Sequence, residues 1–366
     1  MYQFDDEEPI GIAVMGATGS GKSTFINTVS GSNLQVGSGL KSCTSSIEHS
    51  RTFQLFGRNV TLIDTPGFDD TTKSDTDILK MIALYLSTTY ESGYKLSGII
   101  YMHRISDFRM TGVSRRNFSM FRKLCGDEAL RNVVIVTNMW GEVTTERGAA
   151  REKELASDDI LFKPVLDKGA RMVRHDNTCE SAQAILNLLV NKKPRVLRIQ
   201  KELVEEHKDI SQTAAGVELE RELAALAAKH REELAQVKQE MREALLAKDM
   251  ETREELDKVR GELEGSVKKI ENDRERLSSE YAQEKARADE MMRNLTDKIQ
   301  AEEAARVEGQ AQIARMEARL RDSANESAAE RARMQNEISR LQSAPRRGRG
   351  GLFGAVGGLI DHIFGF

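Results

Sequence analysis

Residues 16–24 read Gly16-Ala17-Thr18-Gly19-Ser20-Gly21-Lys22-Ser23-Thr24, which satisfies G-x-x-x-x-G-K-[ST]. The flanks agree with the motif. Ile10-Gly11-Ile12-Ala13-Val14-Met15 reads as a short buried strand, and Thr24-Phe25-Ile26-Asn27-Thr28-Val29 as the first turns of a helix. Strand, glycine loop and helix form a cradle for phosphate, because the glycines let backbone N–H groups turn inward and the helix N-terminus adds positive potential. In such a cradle Lys22 reaches the β/γ-phosphates and Ser23 offers its hydroxyl to Mg²⁺. All nine residues are therefore expected to hold nucleotide, with Lys22 acting on the phosphates during transfer.

A second box stands at the end of the apolar run Val60-Thr61-Leu62-Ile63. It reads Asp64-Thr65-Pro66-Gly67. A carboxylate ending a buried strand beside a phosphate loop can hold Mg²⁺, usually through a water. Gly67 can turn its N–H toward a γ-phosphate and release it after hydrolysis. At this distance from the loop, the box points to a GTPase-type switch rather than a generic ATPase.

Together with Lys41-Ser42-Cys43-Thr44 and the continuation Phe68-Asp69-Asp70-Thr71, these boxes resemble the septin-related GTPases, which include the immunity-associated nucleotide-binding proteins and the chloroplast import receptors. The resemblance covers about residues 8–190. It implies a G domain that uses GTP/GDP and Mg²⁺, and a role for Thr44 as the switch threonine that closes on Mg²⁺ and the γ-phosphate. Ser42, Ser45 and Ser46 are nearby competitors for that role. Association across the nucleotide face, common in the group, is implied as well.

Two departures bear on specificity and rate. The apolar strand Asn132–Val136 runs into Thr137-Asn138-Met139-Trp140, where [NT]-K-x-D is expected, so Trp140 stands at the aspartate position. Losing a paired contact to the guanine edge can cost large factors in discrimination. Thr137, Asn138 and Trp140 are nonetheless the expected base-side residues. Trp140 is either a stacking platform for the base or a packing residue capping the sheet edge. Some fungal members of the resembled group share T-x-x-W and His103-Arg104-Ile105-Ser106, which implies GTP; the residues themselves leave ATP open. Arg174-His175-Asp176-Asn177-Thr178 and Glu180-Ser181-Ala182 are the candidates for the fifth box. The second departure is Phe68, which follows the second box where fast small GTPases carry a water-orienting glutamine. Asp69, Asp70, His103 and Arg104 are the nearby groups that could replace it. No other catalytic constellation and no C-x-x-C or H-E-x-x-H pattern is present.

Pro9, Pro66, Pro164 and Pro194 fall in the first half, and the next proline is Pro345. Between the last two lie about 150 residues whose only aromatic is Tyr281. Residues 201–340 carry 26 basic and 34 acidic side chains, a charge density well above the 31% of the whole chain. So many charges leave no contiguous apolar core, and the composition reads as long helix or coiled coil. Leu219, Leu223 and Leu226 step along one stripe, followed by Leu234, Val237, Met241 and Leu245. Leu256, Val259, Leu263 and Val267 repeat the pattern, as do Ile313, Met316 and Leu320, then Met334, Ile338 and Leu341. Gly216, Gly261, Gly265 and Gly309 weaken continuity. A single helix over this span would reach about 225 Å at ~1.5 Å per residue. Its apolar stripe needs a partner, either a second copy or an αα fold-back.

In the first half, strands fit 10–15, 52–56, 59–63, 97–103, 132–137 and 170–174. Helices fit 22–30, 75–91, 114–124, 146–156 and 179–191. Such alternation implies an α/β fold with a mostly parallel sheet and helices on both faces. The expected organisation is a phosphate-loop domain over 1–195, a coiled-coil stalk over 196–343, and an Arg/Gly hinge with an apolar tail over 344–366. In the tail, Leu352, Val356, Leu359, Ile363 and Phe366 share one helical stripe behind Arg346, Arg347 and Arg349. It is short for a span but suited to the membrane surface, and docking on protein is the alternative.

The polar N-terminus, three separated cysteines and net charge of −4 give an expectation of a reduced cytoplasmic protein, peripheral to membrane at most, without nucleic-acid binding. The expected function is a slow, self-associating GTPase switch that hydrolyses GTP to GDP. The alternatives are a nucleotide-binding scaffold with little hydrolysis, or an ATPase. Lys22→Ala is expected to lower nucleotide affinity at least tenfold in an equilibrium titration; unchanged affinity would remove the phosphate-loop assignment.

Overall fold

A computed structural model describes residues 9–36, 46–68, 73–107, 112–246 and 250–322, with residues 333, 335 and 336. Thr44 and the tail segment 344–366 lie outside the described residues. In chain order the elements are β1 (Ile10–Gly16), α1 (Lys22–Ser30), β2 (Glu48–His49), β3 (Phe53–Leu55), β4 (Arg58–Asp64) and α2 (Asp75–Glu91). Then follow β5 (Gly98–Arg104), α3 (Gly112–Cys125), β6 (Val133–Asn138), α4 (Thr145–Ser157), α5 (Lys163–Leu166) and β7 (Arg171–Arg174). The helices α6 (Cys179–Val190), α7 (Arg198–Gln200), α8 (Ala214–Leu246) and α9 (Met250–Asp322) complete the order.

The seven described strands form one sheet in the order β2-β4-β1-β5-β6-β7, with β3 pairing β4 from outside that path. The chain β4-β1-β5-β6-β7 is parallel, while β2 and β3 run antiparallel to β4. The sequence reading of an α/β fold with a mostly parallel sheet and a helical C-terminal part is what the structure has. Strands buried on both faces read as continuous apolar runs, and β1 has all seven residues buried. Alternate residues of β6 serve the two sides of the sheet. Val133 and Ile135 pack with α2 and α3, whereas Val134 and Val136 pack with α1 and α6.

Helix α2 explains how the C-terminal half is placed. Ser74 caps it, its hydroxyl accepting from the Asp77 N–H, and Asp75 and Asp77 favour its positive end. Every residue from Ile78 to Thr89 is buried. A helix apolar on all sides must be covered on all sides. The sheet covers one side, and α8 and α9 cover the other. Lys80 is 1% exposed, and its Nζ is held by Asp77 of its own helix (3.1 Å) and by Glu280 (2.5 Å) and Glu284 (3.6 Å) of α9. Tyr281, the one aromatic between Pro194 and Pro345, is buried, with its hydroxyl 3.3 Å from Ser87 Oγ.

The long charged segment is therefore not one rod. Helix α8 ends at Leu246, α9 starts at Met250, and the two pack as an antiparallel pair. The inter-helix ion pairs fix the direction: Lys238 meets Glu264, Arg231 meets Glu271, and Glu220 meets Arg274, so one number rises as the other falls. The fold-back supplies the partner stripe. Leu219, Leu223 and Val237 are buried in α8, and Ile270, Leu277 and Tyr281 in α9, while Val259 of the predicted seam is 42% exposed. The glycines do not break α9; Gly261, Gly265 and Gly309 lie inside it. Gly216 has another use, because a Cβ there would fall 2.0 Å from the Ile210 carbonyl oxygen.

Packing also runs across residue 195. Leu197, Ile199, Ile210 and Leu219 belong to the same buried cluster as Ile82 and Phe121. The expected boundary between phosphate-loop domain and stalk therefore does not coincide with a gap in the core. Among the described residues no helix is long and apolar enough to cross a membrane. Leu277→Ala is expected to cost about 2–4 kcal/mol in a denaturant melt of the full chain, as for other buried leucines; a cost within the noise would mean that α9 contributes no core.

Candidate functional site

The site is assembled at the C-terminal ends of β1, β4, β5 and β6. Register brings the parts together, since β1 pairs Val14 with Asp64 on one side and Gly16 with Met102 on the other. The phosphate loop and the second box thus leave neighbouring strands side by side. Gly21 sits at φ +90°, and a Cβ there would lie 2.6 Å from Asn138 Nδ2, so the loop demands glycine twice over. Gly67 comes closer still. A Cβ on it would lie 2.5 Å from the Thr18 backbone nitrogen, so the second box rests directly on the phosphate loop. The Thr65 hydroxyl holds it there by donating to the Val14 carbonyl at 3.0 Å.

Lys22 is 6% exposed and folds over the loop, its Nζ donating to the Gly16 (3.1 Å) and Ala17 (3.0 Å) carbonyls. Ser23 Oγ donates to Asp64 Oδ2 at 2.5 Å. Asp64 has no exposed surface, and its other oxygen, Oδ1, has no hydrogen-bond partner among the described residues. Burial raises the carboxyl pKa above its ordinary value, opposed by the Lys22 charge and by hydrogen bonds from Ser23 and the Thr65 backbone. A buried carboxylate with one unsatisfied oxygen and a hydroxyl on the other is a donor set that fits a hard divalent cation. The sequence-predicted metal pair Ser23 and Asp64 is therefore brought together. Thr18 and Ala17 are half-buried at the loop, Gly19 and Thr24 are exposed, and Ser20 is buried.

The base-side residues separate. Asn138 is buried and spans to the phosphate loop, its Nδ2 donating to the Ser20 carbonyl at 3.4 Å while its Oδ1 accepts from the Met139 N–H at 2.7 Å. Thr137 is fully buried, its hydroxyl donating to the Val173 carbonyl at 3.3 Å. Trp140 turns its indole N–H back onto Thr137, at 3.1 Å from the carbonyl and 3.2 Å from Oγ1. The Arg174 guanidinium lies over the ring, 4.2 Å from its centroid, and Gly148 of α4 leaves room for the indole edge. Of the two readings of Trp140, the geometry favours packing, because its donor and one face are already used. The fifth-box candidates are likewise engaged: Arg174 pairs with Glu152, and His175 Nδ1 lies 2.6 Å from Ser181 Oγ.

Of the groups weighed for positioning water, the two that are described, His103 and Arg104, are engaged elsewhere, and Phe68 is turned into the core. Phe68 is 5% exposed and packs in the core under α2 and α3. His103 is 9% exposed with Phe162 edge-on at 5.3 Å, and burial, with the Arg104 charge second, lowers its pKa to about 4. Arg104 Nε pairs with Asp107 at 3.0 Å, and its Nη1 lies 3.5 Å from where a Gly19 Cβ would be. Asp69 and Asp70 lie outside the described residues. Sequence reasoning missed Asn117, whose buried amide in α3 donates to the Phe68 carbonyl at 2.9 Å. A lone asparagine on an apolar helix face was its only signal.

Residues 11–138 match the sequence family described as 50S ribosome-binding GTPases. The matched stretch takes in the phosphate loop, the second box and the end of β6. Over 126 residues the chain is 31% identical to GTP-binding protein A of Dictyostelium discoideum, a stretch that is 34% of this chain and 27% of that protein. Among solved structures, Toc33 of Arabidopsis thaliana with Mg²⁺ and GMPPNP aligns over 52% of this chain and 88% of its own, at 16% identity and a TM-score of 0.41. Translation elongation factor SelB of Methanococcus maripaludis aligns over 52% and 36%, at 13% identity and a TM-score of 0.33.

His103 generates a pH prediction. Its folded-state pKa of about 4 lies below the ordinary 6.5, so the unfolded chain binds the proton first. Stability is therefore expected to fall as pH drops from about 6.5 to about 4 and to level off below, by up to about 3 kcal/mol. His49, also lowered to about 4 by burial, adds to the same slope. Melts of His103→Gln are expected to show a shallower decline over this window.

Proposed function

We propose that this chain binds GTP and GDP with Mg²⁺ through residues 16–24 and works as a slow GTPase switch. The observation that carries the reading is the buried Asp64 carboxylate beneath the phosphate loop, with Ser23 on one oxygen and no hydrogen-bond partner among the described residues on the other. The match to a GTPase family and the likeness to a GTP-binding protein support the choice of nucleotide.

In this reading Ser23 and Asp64 hold the metal, with Thr44 as the proposed third contributor. Mg²⁺, when bound, neutralises charge between the β- and γ-phosphates. Lys22 leaves the Gly16 and Ala17 carbonyls and moves its Nζ to phosphate oxygens, exchanging two neutral acceptors for charged ones. The backbone N–H groups of the glycine loop bind the β-phosphate, and the Gly67 N–H meets the γ-phosphate. Asn138 keeps the loop and the β6 end in register. No described side chain orients the attacking water, because Phe68 is buried in the core and His103 is sequestered. Slow turnover follows, unless a second copy completes the site across the nucleotide face.

The scaffold reading rests on the same Phe68, and the ATPase reading on the missing aspartate at Trp140. Self-association through α8 and α9, contact of the 351–366 tail with membrane, and a cytoplasmic location are parts of this proposal.

The test is titration of the full chain with fluorescent GTP, GDP and ATP analogues in Mg²⁺, with turnover followed at low and high protein concentration. The expected result is guanine-selective binding and a slow turnover that rises with concentration. Equal affinity for ATP would overturn the guanine reading; binding without turnover would leave the scaffold.

A further inference from the structure

We propose that Asn117 is a positioning residue that holds Gly67 and Phe68 at the nucleotide site, and that α3 anchors the described start and end of the segment between β4 and α2. This rests on the GTPase reading above. The segment between β4 and α2 begins with Asp64-Thr65-Pro66-Gly67-Phe68 and ends at Asp75. Two consecutive residues of α3 hold its two ends. Asn117 Nδ2 donates to the Phe68 carbonyl at 2.9 Å, and Arg116 Nη2 pairs with Asp75 Oδ2 at 2.9 Å in the first turn of α2. The Phe68 side chain is locked from below in the core cluster that includes Ile82 and Phe118. The residue before it, Gly67, has no room to move toward Thr18, where a Cβ would lie 2.5 Å from the backbone nitrogen. With Phe68 fixed through both its carbonyl and its ring, the Gly67 N–H is set beside the phosphate loop before any nucleotide arrives.

The chemistry of Asn117 argues against a purely structural purpose. It is 1% exposed, and its Oδ1 has no hydrogen-bond partner among the described residues. A buried amide oxygen left unsatisfied lowers stability; a leucine of similar shape would remove that penalty but would leave the Phe68 carbonyl without its donor. The hydrogen bond that Asn117 makes is thus directed at the residue next to the switch glycine. In the GTPase reading the Gly67 N–H meets the γ-phosphate, so the bracket acts on the triphosphate and not on the diphosphate.

The experiment compares the full-length wild-type chain with Asn117→Leu, measuring affinity for GDP and for a non-hydrolysable GTP analogue in Mg²⁺ by titration, with a thermal melt of each protein. Loss of one hydrogen bond that matters only with the γ-phosphate is expected to weaken the triphosphate analogue about tenfold. Affinity for GDP is expected to stay within about twofold, with at most a modest drop in melting temperature from the Phe68 carbonyl left without its donor. Arg116→Gln, which frees the other end, is expected to shift the same ratio in the same direction. An unchanged ratio in Asn117→Leu, or an equal loss for both nucleotides with a lower melting temperature, would make Asn117 a packing residue and overturn the inference while leaving the GTPase reading intact. A wild-type chain that binds neither nucleotide would overturn the GTPase reading, and this inference with it.

Discussion

A carboxylate with no exposed surface is costly unless something compensates it, and the architecture around Asp64 is the compensation. The parallel register of β1 and β4 puts Val14 opposite Asp64, so the strand that carries the phosphate loop delivers Ser23 and Lys22 to the same carboxylate. Thr65 and Gly67 are then drawn against the loop by the Val14 carbonyl and the Thr18 backbone. Remove that register and the carboxylate, hydroxyl, ammonium and switch glycine lose their common meeting point.

The sheet sets those positions, and α2 carries their consequences outward. It starts where the switch segment ends and is buried along most of its length, which is why the fold needs α8 and α9 beside it. Lys80 illustrates the cost and its remedy: a lysine in the interior is held by carboxylates from two helices far apart in sequence. The antiparallel pair is thus part of the core beside the sheet and not an appendage, and the same apolar cluster runs from Ile82 through Leu219 to Leu277.

Most of this fold could be read in advance from local patterns. Helices over 22–30 and 75–91 have the bounds expected from the sequence, and the principal strands fall within a residue or two of their apolar runs. The two-residue β2 was illegible, since Glu48 and His49 form a strand only because β4 offers its edge. Trp140 was ambiguous for a related reason. A lone indole after a strand looks alike whether it awaits a base or packs, and only Arg174 and Gly148, from β7 and α4, distinguish the two.

By itself the sequence determined the phosphate loop, the second box, the alternation that makes a parallel sheet and the helical nature of the second half. Each of these is written in spacing along a contiguous stretch, so backbone sterics and burial periodicity suffice. Only the tertiary structure decided that the long helix doubles back, that the core continues past residue 195, and that Phe68 is an anchor held by Asn117. Those outcomes depend on which distant surfaces meet. A stripe of leucines states that it must be covered but not by what, and an asparagine states that it can donate but not to whom.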